Sequence, residues 1–92
     1  MKPLSQAEIT KALAKLPDWH PQDDVIVADF SFKDFFQAFS FMIKVATAAE
    51  KSQHHPDWSN VYNRVHIELS THEAGGITQK DLDLAKTISE LK

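Results

Sequence analysis

Three of the five histidines in this 92-residue chain lie beside one strand-like segment, and no other residues stand out as clearly for their chemistry. His54 and His55 are adjacent and precede Pro56, whereas His72 follows a run in which apolar and polar residues alternate. Alternation with a period of two predicts one half-buried strand over Val61–Thr71. The sequence therefore predicts two imidazoles before this strand and a third past its far end, where they could flank a substrate as acid and base.

The residue types alone also allow these histidines a metal-binding, a nucleophilic or a purely surface role. On an extended chain His54 and His55 point to opposite sides, and no helical His pair or local carboxylate cluster accompanies them, so a metal site is disfavoured. A nucleophilic triad is also disfavoured, because no serine occupies an elbow-like context. The histidines could be ordinary surface residues of a loop. Pro56 favours a functional pair, since it restricts His55 to extended backbone conformations.

Composition limits the classes of protein to which the chain can belong. A net charge of −3 without a basic run argues against nucleic-acid binding. The absence of cysteine excludes disulfides and thiolate chemistry. No apolar stretch approaches the length of about 20 residues that spans a bilayer, and the N-terminus lacks the apolar segment of a signal peptide. We expect a single domain over residues 1–92 that is soluble, cytoplasmic and not bound to a membrane.

Helical signals surround the predicted strands. A capping box at Ser5–Glu8 begins a first helix that Pro17 ends, and a second box at Thr78–Asp81 begins the last helix. A long helix from about Lys33 is expected to form the main body of the core. Its expected stripe comprises Phe35, Phe39, Met42, Ala46 and Ala49, broadened by Ala38, Phe41, Val45 and Ala48.

Two further segments are predicted to complete a sheet. Asp18–Asp24 is predicted to be a turn or short edge strand, and within it Trp19 is either a core anchor or a wall of a ligand pocket. Val25–Phe32 alternates as a second strand that pairs with the segment before it. The predicted order is helix, short strand, strand, long helix, strand, short strand, helix. This order predicts an α+β fold with helices on one side of an antiparallel sheet. On the strand after the histidine pair, one side is predicted to carry Val61, Asn63, Val65, Ile67, Leu69 and Thr71. Of these, Val65, Ile67 and Leu69 are expected to face the long helix.

Several blocks of the sequence resemble the pterin-4a-carbinolamine dehydratases. The blocks that carry the resemblance are Glu50-x-x-x-His54-His55-Pro56-x-Trp58-x-Asn60-Val61-Tyr62-Asn63-x-Val65, Leu69-x-Thr71-His72-Glu73 and Gly76-Ile77-Thr78-x-x-Asp81. The similarity continues upstream through Phe30–Phe35 and Phe41–Ala46 to Trp19, so it covers nearly the whole chain. One departure is Gln53, where family members often have an acidic residue.

The resemblance implies a fold of four antiparallel strands with three helices packed on one face. It implies the dehydration of 4a-hydroxytetrahydropterin to quinonoid dihydropterin, a step in recycling the pterin cofactor of aromatic amino acid hydroxylases, without a metal or other cofactor. It also implies a homodimer or homotetramer, and a possible protein partner, because animal members also act as dimerisation cofactors of a transcription factor. The implied catalytic residues are His54, His55 and His72, and the implied substrate-binding residues are Gln53, Ser70, Thr71, Glu73, Glu50, Trp19 and Asp81.

Overall fold

Four antiparallel strands form one sheet in the computed structural model, which describes residues 2–92. In chain order the strands are β1 (His20–Gln22), β2 (Val25–Ser31), β3 (Asp57–Val61) and β4 (Arg64–Leu69). Their spatial order is β1-β2-β4-β3, so the two longest shared interfaces involve β4. The helices are α1 (Gln6–Leu13), α2 (Phe35–Ser52) and α3 (Gln79–Leu91). The predicted α+β class, with three helices and a four-stranded antiparallel sheet, is confirmed.

The core lies between the sheet and the helices, because β2 and β4 each bury one apolar face. No helix among residues 2–92 has the length and apolarity needed to cross a bilayer. The buried residues that form most of this core are Ile26, Ala28 and Phe30 of β2, Val65, Ile67 and Leu69 of β4, Ala38, Phe41 and Val45 of α2, and Leu84, Ala85 and Ile88 of α3.

Both predicted capping boxes are present. In α1 the Ser5 side chain accepts from the backbone N–H of Glu8, whose carboxylate accepts from the Ser5 N–H. In α3 Thr78 and Asp81 form the equivalent reciprocal pair. These motifs were predictable because all their partners lie within one turn of the chain.

The predicted core stripe of α2 is partly wrong. Phe35 and Phe39 are about half exposed, at 49% and 48%, and their rings pack on each other rather than in the core. The buried face is instead formed by Ala38, Phe41, Val45 and Ala49. Apolar residues surround the N-terminal half of this helix, so its periodicity alone does not select the face that meets the sheet.

A single strand over Val61–Thr71 is also wrong, because a hairpin turn at Tyr62 and Asn63 separates β3 from β4. The expected short strand after it is a 3₁₀ turn, His72–Ala74, and the additional strand precedes the hairpin turn instead. Val61 consequently lies 60% exposed rather than facing the helices. Tyr62 takes a positive φ of 52°, an unusual conformation for a residue other than glycine.

Candidate active site

The β3–β4 hairpin brings the histidine pair and His72 to the same end of the sheet. Asp57 at the start of β3 pairs with Glu68 near the end of β4, so the residues before β3 lie beside the residues after β4. The expectation that the histidines approach from the two ends of one strand is therefore wrong. They share one cavity of about 350 Å³, lined by Gln53, His54, His55, Ser70, Thr71, His72, Glu73 and Lys80.

The sharp exit from α2 positions the histidine pair. Gln53 caps the helix in the left-handed region, with φ 53° and ψ 40°, and its N–H donates to the Glu50 carbonyl at 3.2 Å. The His54 N–H then donates to the Ala49 carbonyl at 3.1 Å. A residue other than glycine costs roughly 1 kcal/mol or more in this conformation. The turn directs the next residues away from the helix axis and toward the end of β4.

His54 is held from behind by a buried carboxylate. Its Nε2 lies 2.5 Å from Oδ1 of Asp81, whose side chain is 0% exposed, whereas His54 itself is 12% exposed. An ionised carboxylate only accepts hydrogen bonds, so Nε2 carries the proton in this contact. This tautomer leaves Nδ1 as the nitrogen of a neutral His54 that can accept a proton.

Two threonines complete the surroundings of Asp81. Its Oδ2 accepts from the Thr71 hydroxyl at 2.8 Å and from the Thr78 backbone N–H at 2.9 Å. Because the Thr71 proton is used in this way, the Thr78 hydroxyl donates to Thr71 across their 2.8 Å contact. Three donors therefore satisfy a carboxylate that would otherwise be costly to bury. Asp81 is at once the end of the α3 capping box and the residue that orients His54.

His55 has a more open environment than His54. Its Nε2 lies 2.8 Å from Oε1 of Glu50, and the two side chains are 60% and 79% exposed. Such exposed pairs hold geometry weakly, contributing about 0–1 kcal/mol. Glu50 thus contacts His55 but does not line the cavity.

His72 and Glu73 reach the cavity from the 3₁₀ turn. The turn is closed by the Thr71 N–H, which donates to the Gly76 carbonyl at 2.9 Å, and by Gly75, whose φ is 74°. His72 makes no side-chain hydrogen bond with any residue of 2–92. Its ring is therefore available to a ligand in the cavity.

Trp19 lies in the core rather than along this cavity. It is 3% exposed, its indole N–H donates to Ser89 Oγ at 3.0 Å, and its ring packs edge-on against Phe30 at a centroid distance of 6.2 Å. Of the predicted site residues, Trp19, Glu50 and Asp81 do not line the cavity. Asp81 and Glu50 instead contact histidines that line the cavity, since Asp81 contacts His54 and Glu50 contacts His55.

Two residues of this region were not predicted as site residues from the sequence. Thr78 was predicted only as a helix cap, and Lys80 was not predicted to contact a ligand, although its side chain lines the cavity. The signal for Lys80 was its place in the first turn of the helix that supplies Asp81. Among residues 2–92, no group of three or more His, Asp or Glu side chains is arranged so that it could hold a metal ion.

This arrangement is suited to moving protons. Three imidazoles surround a cavity large enough for a small bicyclic ligand. The His54 ring is restrained and has one free nitrogen, the His72 ring makes no side-chain hydrogen bond, and the His55 ring faces solvent. Histidines can serve as either acid or base near neutral pH. The geometry favours general acid–base chemistry on a compact polar molecule.

Comparison with known proteins finds one matching family and several proteins of similar sequence. Residues 2–91 match the family described as pterin 4 alpha carbinolamine dehydratase. A Rhizorhabdus wittichii protein provisionally named as such a dehydratase is 50% identical over 99% of this chain and 96% of its own length. A Mesorhizobium japonicum protein with the same provisional name is 52% identical over 94% of this chain and 90% of its own.

A solved structure extends the similarity to three dimensions. The Brucella melitensis protein described as a transcriptional coactivator/pterin dehydratase superposes with a TM-score of 0.95 at 40% identity, covering 98% of both chains. The match therefore includes the strands, the helices and the turn that carries His72. The chain belongs to the pterin 4 alpha carbinolamine dehydratase family.

Proposed function

We propose that the protein dehydrates 4a-hydroxytetrahydropterin to quinonoid dihydropterin, with histidines as the acid and the base. The single observation that supports this most is the convergence of His54, His55 and His72 on one cavity, with Asp81 behind His54. Following the family, the reaction recycles the pterin cofactor of aromatic amino acid hydroxylases, in the cytoplasm.

The reaction needs two proton transfers and no electron acceptor. The bond from C4a to its hydroxyl oxygen breaks, and the oxygen leaves as water after receiving a proton from a general acid. A ring N–H gives its proton to a general base, and its electron pair forms the new C=N bond. Each transfer by a positioned side chain accelerates the reaction by roughly 10²–10⁴-fold.

We assign these transfers to His54 and His72. His54 is the better oriented of the two, since Asp81 fixes its tautomer and leaves Nδ1 as the exchanging nitrogen. His72 supplies the second proton site from the 3₁₀ turn. His55, which contacts Glu50, orients the pterin, and Gln53, Ser70, Thr71 and Glu73 contribute polar contacts to the ligand.

A dehydratase assay on the purified protein tests the proposal. We expect His54→Ala and His72→Ala to lower kcat by roughly 10²–10⁴-fold, and His55→Ala to act substantially through KM. His20→Ala is the matched control, because His20 lies exposed on β1 and does not line the cavity. The wild-type rate should fall on both sides of a maximum in the neutral range where histidines titrate.

A non-catalytic role on the same fold is the competing function. The relative from Brucella is described as a coactivator as well as a dehydratase, and α2 of this chain carries exposed apolar residues that a partner could cover. If His54, His55 and His72 variants all keep near wild-type kcat while folded, histidine catalysis is excluded and the partner role is favoured.

We also propose a symmetric homodimer or homotetramer. Two surfaces support it: the unpaired edges of β1 and β3, and an apolar strip on α2 comprising Phe35, Phe36, Phe39 and Ile43. Both kinds of surface promote association in small proteins.

A further inference from the structure

A second cavity lies next to the histidine cavity, in the groove between the end of α2 and the start of α3. Its volume is about 500 Å³, and Ala48, Leu84 and Thr87 are among the residues that line it. His54 and Lys80 line both cavities, so the two spaces meet at these side chains.

The groove between α2 and α3 is larger than the histidine cavity. The histidine cavity, at about 350 Å³, is near the lower end of the range typical of small-molecule sites, roughly 300–1,000 Å³. It suits the bicyclic ring system of a pterin. The adjoining groove is larger than the cavity that would hold the rings. A short substituent on the pterin would fill only a small part of that groove.

The groove also carries unpaired positive charge. Lys51 in the last turn of α2 and Lys80 in the first turn of α3 line it, and neither ammonium forms an ion pair with a carboxylate of residues 2–92. The acid among its lining residues, Asp83, accepts a hydrogen bond from the Gln79 side chain at 2.9 Å. Two ammonium groups against one carboxylate give the lining residues a charge of +1, in a chain whose net charge is −3, and this local excess favours an anionic ligand in the groove.

We propose that this groove binds the side chain of the pterin substrate, and that this side chain ends in an anionic group, a carboxylate or a phosphate, which Lys51 and Lys80 hold. The inference rests on the proposed function, because it takes the pterin rings to lie among the histidines. It narrows the substrate class from pterins in general to pterins with a long acidic substituent.

Binding of three stable dihydropterins by calorimetry tests this inference. The probes are dihydrobiopterin, with a short neutral side chain, dihydrofolate, with a long carboxylate side chain, and dihydroneopterin phosphate. We expect one or both of the anionic probes to bind about 5–20-fold more tightly than dihydrobiopterin at low salt, since the ion pairs with the two lysines and the additional apolar contact both favour them. The preference should shrink as salt is raised. The tighter of the two anionic probes identifies the acidic group.

Matched lysine variants locate the effect. Lys51→Gln and Lys80→Gln should each reduce the preference by about 2–5-fold, whereas Lys44→Gln and Lys86→Gln, on the same two helices but outside the groove, should leave it unchanged. Lys51 lines only the groove, so its replacement should leave dihydrobiopterin binding unaltered.

Equal affinity for all three probes, or a preference that survives both groove variants, would overturn the inference while leaving the dehydratase proposal intact. Absence of binding by every probe, together with absence of dehydration, would instead overturn the proposed function on which it rests.

Discussion

Asp81 shows how one buried side chain can serve both folding and the candidate active site. Its Oδ2 completes the capping box of α3, while its Oδ1 contacts His54. A capping carboxylate usually lies in solvent, but this one is 0% exposed and depends on Thr71 and Thr78 for its hydrogen bonds. The position of the helix start and the orientation of His54 are therefore coupled.

The Asp81→Asn substitution keeps the shape of the side chain but changes its hydrogen bonding, so it tests whether Asp81 orients the His54 ring. The amide can donate to His54 Nε2, which would place the imidazole proton on the wrong nitrogen, so we expect kcat to fall by about 10²-fold or more with a smaller change in KM. The pH dependence of the remaining activity should also change. Glu90→Gln, an exposed carboxylate on the same helix that lines neither cavity, is the matched control. An Asp81→Asn protein that folds and keeps kcat within about twofold would contradict the assignment.

His66 forms a second, separate charge cluster on the face of the sheet opposite the helices. Its Nδ1 lies 2.8 Å from Asp29 and its Nε2 lies 2.9 Å from Glu68, so both nitrogens meet carboxylates. Only the protonated ring can donate to both. The pKa of His66 is accordingly raised above the ordinary histidine value, first by the hydrogen bond with Glu68 and then by that with Asp29.

The cluster predicts a pH-dependent contribution to stability. Because the folded pKa of His66 lies above the unfolded value, the stabilisation is fully present below the unfolded pKa, near 6.5, and disappears as pH rises through the raised folded pKa. The half-exposed setting limits it to less than about 1 kcal/mol. Urea melts should therefore show His66→Gln closest to wild type at alkaline pH and furthest from it near about pH 6. A difference that does not vary with pH would show that the ion pairs contribute nothing; His20→Gln is the control.

At the scale of the elements, helix starts were predictable from the sequence but the hairpin was not. The boxes at Ser5 and Thr78 place all their hydrogen-bond partners within four residues. The β3–β4 turn, in contrast, contains neither glycine nor proline, and the apolar–polar alternation continues through it. The Asn60 side chain stabilises this turn locally, donating to the Tyr62 carbonyl at 3.1 Å and to the Arg64 carbonyl at 2.8 Å. A tertiary contact adds to this, because the Asn63 side chain donates to the Phe32 carbonyl at 2.9 Å, just past β2.

The same limit explains which parts of the candidate site could be predicted. The choice of His54, His55 and His72 as candidate site residues could be made from residue types and from the family resemblance. Their meeting at one end of the sheet could not be predicted, because it depends on the β3–β4 hairpin. The exclusion of Trp19 from the cavity depended on its contacts with Phe30 and Ser89, which are distant in sequence. Neither distance nor direction between remote segments is encoded in local periodicity.

The hairpin's facing can be tested with a pair of truncations. Leu69 is 1% exposed and points into the core, so Leu69→Ala should lower the free energy of unfolding by about 2–5 kcal/mol through lost burial and a residual cavity. Val61, on the same hairpin but 60% exposed, should lose less than about 0.5 kcal/mol when truncated to Ala. Denaturant melts measure both values, and equal losses would contradict the register that pairs Val61 with Arg64.

At the scale of the whole molecule, separate surfaces carry separate features. The end of the sheet carries the histidine cavity, the α2–α3 groove adjoins it, and the opposite sheet face carries the His66 cluster. The N-terminal half of α2 is left with an apolar surface that the core does not use, where Phe36 is 77% exposed and Ile43 is 56% exposed. These side chains gain little stability from contacts within the chain, and the homo-oligomer proposed above would cover them.

A charge placed on that strip should therefore change assembly without changing the fold. Because Phe36 makes few contacts within the chain, Phe36→Glu should leave the free energy of unfolding of the isolated subunit within about 0.5 kcal/mol. Burying the new carboxylate between copies would cost several kcal/mol, so light scattering should show a smaller species than wild type at micromolar concentration. Tyr62→Glu, which alters a similarly exposed aromatic on the β3–β4 turn, should leave the assembly unchanged. A wild-type monomer would refute the assembly altogether, whereas dissociation by Tyr62→Glu alone would place the interface at the β3–β4 hairpin instead of on α2.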